Sequence, residues 1–185
     1  MIKRFSPRLL LTVCGLGVVL SGCGYSATRL LPPNYRMIYV EPFENKIGIT
    51  EETSERVGFQ TNIPGLEEQI TRAVIDRFLL DGNLRVTNKK ESADLVMDGK
   101  LLDFFRQVVR SATNDSKTAE EYRLNLVASL AVRDREGKLI VDETNLVGDT
   151  SYFVTGSSAT SESTAINTLI TDFARRVVER VIENW

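Results

Sequence analysis

Three spacings of hydrophobic residues divide the chain. Leu9 to Leu20 is an unbroken apolar run except for Thr12. Leu66, Ile70, Ala73, Val74 and Phe78 recur at steps of three and four, as do Ile166, Leu169, Ile170, Phe173, Ala174, Val177, Val181 and Trp185. That period places each set on one stripe of a helix. Tyr122, Leu124, Leu126, Ala128, Leu130 and Val132 instead fall on every second position. A period of two is that of a strand with one buried face.

Punctuation sets the boundaries. Pro64 and Gly65 open the first helix, Glu67 and Glu68 sit where the helix dipole favours acids, and Gly82 caps its end. The last helix is predicted over 160–184. Met37 to Val40 reads as a β-branched and aromatic strand ended by Pro42, and Leu84 to Thr87 as a short one. Residues 44–63 have no period and are predicted to be a long loop, whose Ile47, Ile49, Val57 and Phe59 suggest that it packs on something.

A long hairpin dominates the centre. Ala93 to Val109 and Glu121 to Arg133 read as its arms, with the polar Arg110 to Glu120 as its tip. A slip of one residue inverts every side chain of a strand, so the buried leucine row constrains the register. The best match places Leu95, Met97, Leu101 and Phe105 with that row. Val96, Lys100, Leu102, Phe104, Arg106, Val108 and Arg110 then lie beside Arg123 and Arg133 on the other face. Asp134-Arg135-Glu136-Gly137 is a tight turn into a further strand, Lys138 to Val147, and Asp149 to Ser158 is a connector. The expected fold class is α+β, a two-layer sandwich with two amphipathic helices on one face of a four- or five-stranded mixed sheet.

The apolar run at the start is too short to cross a bilayer as a helix: twelve residues rise about 18 Å against a hydrocarbon core of roughly 30 Å. Lys3, Arg4 and Arg8 precede it and small residues follow, the order of a secretory signal. Leu20-Ser21-Gly22-Cys23 resembles a bacterial lipobox. That resemblance implies cleavage after residue 22 and a mature chain beginning at a lipidated Cys23. The domain plan is then a removed signal at 1–22, a lipidated tether at 23–35 and one α+β domain at 36–185. Three acyl chains exceed the two signals stable anchoring takes. Gly24 rather than Asp after the cysteine points, in enterobacteria-like sorting, to the outer membrane.

Composition narrows the chemistry. The chain has 23 basic and 25 acidic residues, and removal of the signal leaves 20 against 25. Such an acidic domain argues against nucleic-acid binding. Cys14 leaves with the signal, so Cys23 is the one mature thiol and no internal disulfide forms. The absence of histidine excludes Ser-His and Cys-His nucleophiles and imidazole metal sites. Gly15-x-Gly17 lies in the signal, and Gly156-Ser157-Ser158 is no nucleophile elbow. Asp172, Arg175, Arg176, Glu179 and Arg180 read as solvated helix charges. We expect no enzyme, no metal and no cofactor beyond the lipid on Cys23. The mixed face of the hairpin is less plain: Lys100, Arg106, Arg110 and Arg123 stand among Leu102, Phe104 and Val108. Guanidinium forks suit phosphate oxygens and the apolar neighbours suit hydrocarbon, which makes a phosphorylated glycolipid a candidate ligand. The plainer reading is a solvated or partner-covered face on which arginines extend over apolar neighbours.

Several segments in order resemble the LPS-assembly lipoprotein family, LptE. They are 20–25 (LSGCGY), 37–46 (MIYVEPFENK), 65–68 (GLEE), 81–86 (DGNLRV), 93–99 (ADLVMDG) and 121–124 (EYRL). Tyr152-Phe153 and Ala174-Arg175-Arg176 continue the match. The resemblance implies a non-enzymatic outer-membrane lipoprotein that plugs the β-barrel translocon LptD, assists its assembly and contacts lipopolysaccharide. The alternative is a periplasm-facing envelope scaffold lipoprotein unrelated to lipopolysaccharide transport.

Overall fold

The computed structural model describes residue 32 and residues 34–48, 59–60, 63–112 and 115–183. The signal segment, Cys23 and Trp185 lie outside these residues. Seven strands and two helices follow one another: β1 Met37–Val40, β2 Glu44–Asn45, β3 Phe59–Gln60, α1 Leu66–Asp81, β4 Arg85–Val86, β5 Leu95–Ala112, β6 Asp115–Asp134, β7 Leu139–Phe153 and α2 Glu162–Glu183. A single 3₁₀ turn, Lys90–Ser92, precedes β5.

The periodic segments fold as their spacing dictates. Leu66, Ile70, Val74 and Phe78 of α1 are all buried. Gly82 adopts φ 75° and its N–H donates to the Phe78 carbonyl at 3.1 Å, a left-handed cap that costs glycine little. At the start of α2, the Ser161 hydroxyl accepts the Thr164 N–H at 3.2 Å. Leu169, Phe173, Val177 and Val181 point into the core beside the α1 stripe.

The sheet runs β4-β1-β5-β6-β7. β1 is parallel to both its neighbours, and β5, β6 and β7 form an antiparallel meander. Both helices cover the face that carries the leucine row of β6. The α+β two-layer class is therefore as expected, but the sheet is larger than four or five strands. The two additional strands come from the segment expected to be a loop: β2 pairs in parallel with β5, and β3 antiparallel with it. Two residues each are too few to leave a periodic trace. Residues 49–58 and 61–62 of that segment, Ile49 and Val57 among them, lie outside the described residues.

The hairpin also exceeds its expected length. Its arms have 18 and 20 residues and meet across positions 113–114. Of the polar stretch expected as a tip, 110–112 and 115–120 are strand, and the three residues of β5 give about 10 Å of ribbon. β7 runs to Phe153, so half of the expected connector is strand, and Tyr152 is buried. No helix among the described residues is long and apolar enough to cross a membrane.

Candidate functional site

The placement of the basic residues follows from two irregularities in β5. Leu101 pairs with Ala128, but the next pairing is Asp103 with Val127, so Leu102 is an extra residue. Such a bulge shifts the alternation of every residue beyond it. Phe104 therefore faces Leu126 and is wholly buried, while Phe105 faces Asn125 on the outer side. Arg106 and Val108 likewise change sides and lie opposite Leu124 and Tyr122. The expected register is correct up to Leu101 and inverted from Phe104 to Val108. A second shift at Val109 returns Arg110 to the outer face, opposite Glu121.

The four candidate residues separate accordingly. On the outer face, Arg110, Glu121 and Phe153 form one cross-strand row and Gln107, Arg123 and Ser151 the next. The Arg110 guanidinium lies 5.8 Å from the centre of the Phe153 ring and 3.9 Å from Glu121 Oε2. Arg123 Nε donates to Ser151 Oγ at 3.4 Å and stands 4.0 Å from Asp149 Oδ2. Both side chains are about half exposed, and ion pairs this loose and wet contribute little. Lys100 pairs with Ser129, six positions along β6 from Arg123 and thus roughly 20 Å away. Its neighbour is Glu44, whose carboxyl is held below the usual range chiefly by Lys46 and slightly by Lys100.

Arg106 belongs to a different constellation. Its Nη1 donates to Glu162 Oε2 at 2.9 Å, and its guanidinium sits 4.6 Å above the Tyr122 ring. Tyr122 stacks on Tyr152 at 5.8 Å. Burial opposes the charge of Arg106, but hydrogen bonding to the Tyr152 hydroxyl and the field of Glu162 outweigh it and raise its pKa. Burial raises that of Tyr152. This clamp joins the hairpin to the first turn of α2. Its members are 56 residues apart, and with Arg106 expected on the opposite face the pairing was hidden from sequence reasoning.

The helix charges also do more than meet solvent. Arg176 donates to Asp149 of β7 at 3.3 Å and to the Val147 carbonyl at 3.3 Å, and Arg180 lies 3.2 Å from Glu143. Asp172 holds Arg176 in position and also accepts from Arg175. Burial pushes the Asp172 pKa upward, but the two arginines together take it below the ordinary value of 3.8. A depressed carboxylate pKa contributes stability that is complete above pH 3.8 and disappears as pH falls through the folded-state value. Asp172→Asn is therefore expected to flatten the loss of stability from about pH 4 downward. Urea unfolding of both proteins across that window checks it, and identical slopes would exclude the linkage.

A family model described as LptE, lipopolysaccharide-assembly, matches residues 35–181. Among solved structures, one similar chain is a protein from Xanthomonas campestris, at 8% identity and TM-score 0.54, covering 81% of this chain and 85% of that one. Another is an uncharacterized lipoprotein B from Nitrosomonas europaea, at 11% identity and TM-score 0.53, covering 85% and 88%. A third is a hypothetical protein from Chlamydia trachomatis, at 12% identity and TM-score 0.50, covering 80% and 95%. At these identities the likeness establishes the fold. A search among curated proteins finds no match.

Proposed function

The chain belongs to the LptE family of lipopolysaccharide-assembly proteins, and from that premise we propose that it is an outer-membrane lipoprotein that plugs and helps assemble the β-barrel translocon LptD. In this reading residues 1–22 are removed, Cys23 carries the lipid, and 23–35 tether a single domain to the periplasmic side of the membrane. The observation that carries the proposal is the hairpin. Its arms continue past the last β7 pairing, Glu121 with Phe153, and among the described residues only β5 and β6 pair beyond Glu120, which accepts the Val154 N–H at 3.0 Å. A two-stranded ribbon is marginal alone in water, so this end suits a partner that encloses it.

Purification of the lipidated chain in mild detergent, with identification of what accompanies it, tests the proposal. A stoichiometric large β-barrel is the expected companion. Depletion should also remove that barrel from the outer membrane. Recovery of the chain alone, with surface lipopolysaccharide normal after depletion, would sink the reading and favour the envelope scaffold.

Lipopolysaccharide binding is the finer part of the proposal. Arg110 and Arg123, exposed beside Phe153, are assigned to the phosphates; Lys100 lies too far from them, and Arg106 is committed to Glu162. Charged hydrogen bonds are worth about 1.5–3 kcal/mol each, so Arg110→Glu with Arg123→Glu should weaken lipopolysaccharide binding at least about ten-fold. Thermal unfolding should move little, because both arginines are about half exposed and their ion pairs are long, at 3.9 and 4.0 Å. Unchanged affinity in a folded double variant would rule out this assignment.

A further inference from the structure

The outer face carries a second constellation at the opposite end of the sheet, where the chain enters the domain. A cleft of about 600 Å³ lies between the 3₁₀ turn, the end of β1 and the β6–β7 turn. That size is ordinary for a small-ligand site. Its floor is Ala93 and Val96, and its walls carry Glu41, Lys90, Glu91, Asp98, Arg133 and Asp134. Arg135 closes one side by donating to the Ala93 carbonyl at 2.8 Å and the Ser92 carbonyl at 3.2 Å.

Charge decides what the cleft accepts. Lys90 is bonded to Glu41 and Arg133 to Asp98, so each wall presents one cation beside one anion. Glu91 adds a further exposed carboxylate. A simple anion would meet the carboxylates, and a simple cation would meet Lys90 and Arg133. A zwitterion satisfies both signs by exchanging partners with the two pairs, whose cations are about half exposed and whose carboxylates are about one third exposed, open enough to be reached from solvent. Arg133 offers a planar fork that fits phosphate, and the carboxylates require a cation with N–H donors.

Position supplies the source. The Tyr35 hydroxyl donates to Asp134 Oδ2 at 3.4 Å, so the last residue of the tether is fixed to the cleft wall. Twelve residues, 23–34, span at most about 41 Å, which holds the cleft near the bilayer surface. We propose that this cleft binds the phosphoethanolamine headgroup of a membrane phospholipid, phosphate toward Arg133 and ammonium toward Glu91 and Asp98. The assignment to a lipid rests on the tethered-lipoprotein reading, whereas binding of the zwitterion itself does not.

Calorimetry of the full chain in non-ionic detergent with soluble glycerophosphoethanolamine tests it. We expect saturable binding, with glycerophosphate alone and ethanolamine alone each weaker by about ten-fold or more. Phosphatidylethanolamine should displace the soluble compound, and phosphatidylcholine, which has no N–H donor, should not. Arg133→Glu should abolish binding, and Glu91→Lys, an exposed change that leaves the ion pairs intact, should weaken it if Arg133→Glu does not fold. No saturable heat, or equal affinity for glycerophosphate, would overturn the proposal. Binding of the soluble zwitterion without competition by phosphatidylethanolamine would overturn the lipid assignment.

Discussion

Replacing Gly99 by alanine is expected to cost the domain about 2–4 kcal/mol, among the largest penalties available to a single methyl group here. A Cβ at this position would lie 2.2 Å from Cε1 of Phe43 and 2.6 Å from two more of its ring atoms. The ring has nowhere cheap to go. Phe43 is 3% exposed, meets the Phe173 ring edge-on at 6.5 Å, and is fixed by its N–H donating to Thr71 Oγ1 at 2.9 Å. One residue thus ties β5 and α2 through its ring and α1 through its backbone N–H. Phe43→Ala should cost about 3–5 kcal/mol by leaving a cavity. The double variant should cost clearly less than the two singles together, because the alanine methyl then occupies vacated space. Urea unfolding of the four proteins provides the cycle; additivity would show that the ring does not oppose a Cβ at residue 99.

The second large effect tests the bulge at Leu102. Phe104→Ala should cost about 3–5 kcal/mol, whereas Phe105→Ala should cost about 1 kcal/mol, since only the former is wholly enclosed. The regular alternation expected from the sequence reverses that order, so the pair of measurements discriminates between the two registers. Deletion of Leu102 is a companion test. It leaves Leu101 followed by Asp103, a regular ladder with Phe104 still facing Leu126, and should therefore be tolerated. An unfolded deletion protein, or Phe105→Ala as the costlier change, would refute the bulge.

These residues also show why part of the molecule was legible in the sequence and part was not. The helices were legible because Ile70, Val74 and Phe78, or Leu169, Phe173 and Val177, repeat at a spacing no other element tolerates. β6 was legible because it pairs along both edges and keeps a strict period of two. β5 was only half legible. Its Leu101-Leu102 and Phe104-Phe105 doublets fit either phase, and a bulge adds a residue without adding a polar marker. The candidate site inherits that ambiguity. Regular alternation sets Arg110 and Arg123 on the outer face, where both lie, sets Arg106 on the face opposite to the one it occupies, and sets Lys100 on the outer face but far from the other two. The Arg106–Glu162 and Arg176–Asp149 contacts join residues 56 and 27 positions apart, and nothing local announces either one.

The position of β1 has a mechanical consequence. Tension arriving from the residues before it acts along the strand axis, because Met37–Val40 lies between β4 and β5 and is parallel to both. Its flanking bonds are then loaded together in shear instead of being peeled one at a time. They include Arg85 N–H to the Arg36 carbonyl at 2.8 Å, Thr87 N–H to Ile38 at 2.9 Å and Glu41 N–H to Met97 at 2.9 Å. The Asp94 carboxylate grips the entry point as well, accepting the Arg36 and Met37 N–H groups at 2.8 Å each. A pull on the residues before β1 is therefore met by several bonds at once, on two neighbouring strands and at Asp94.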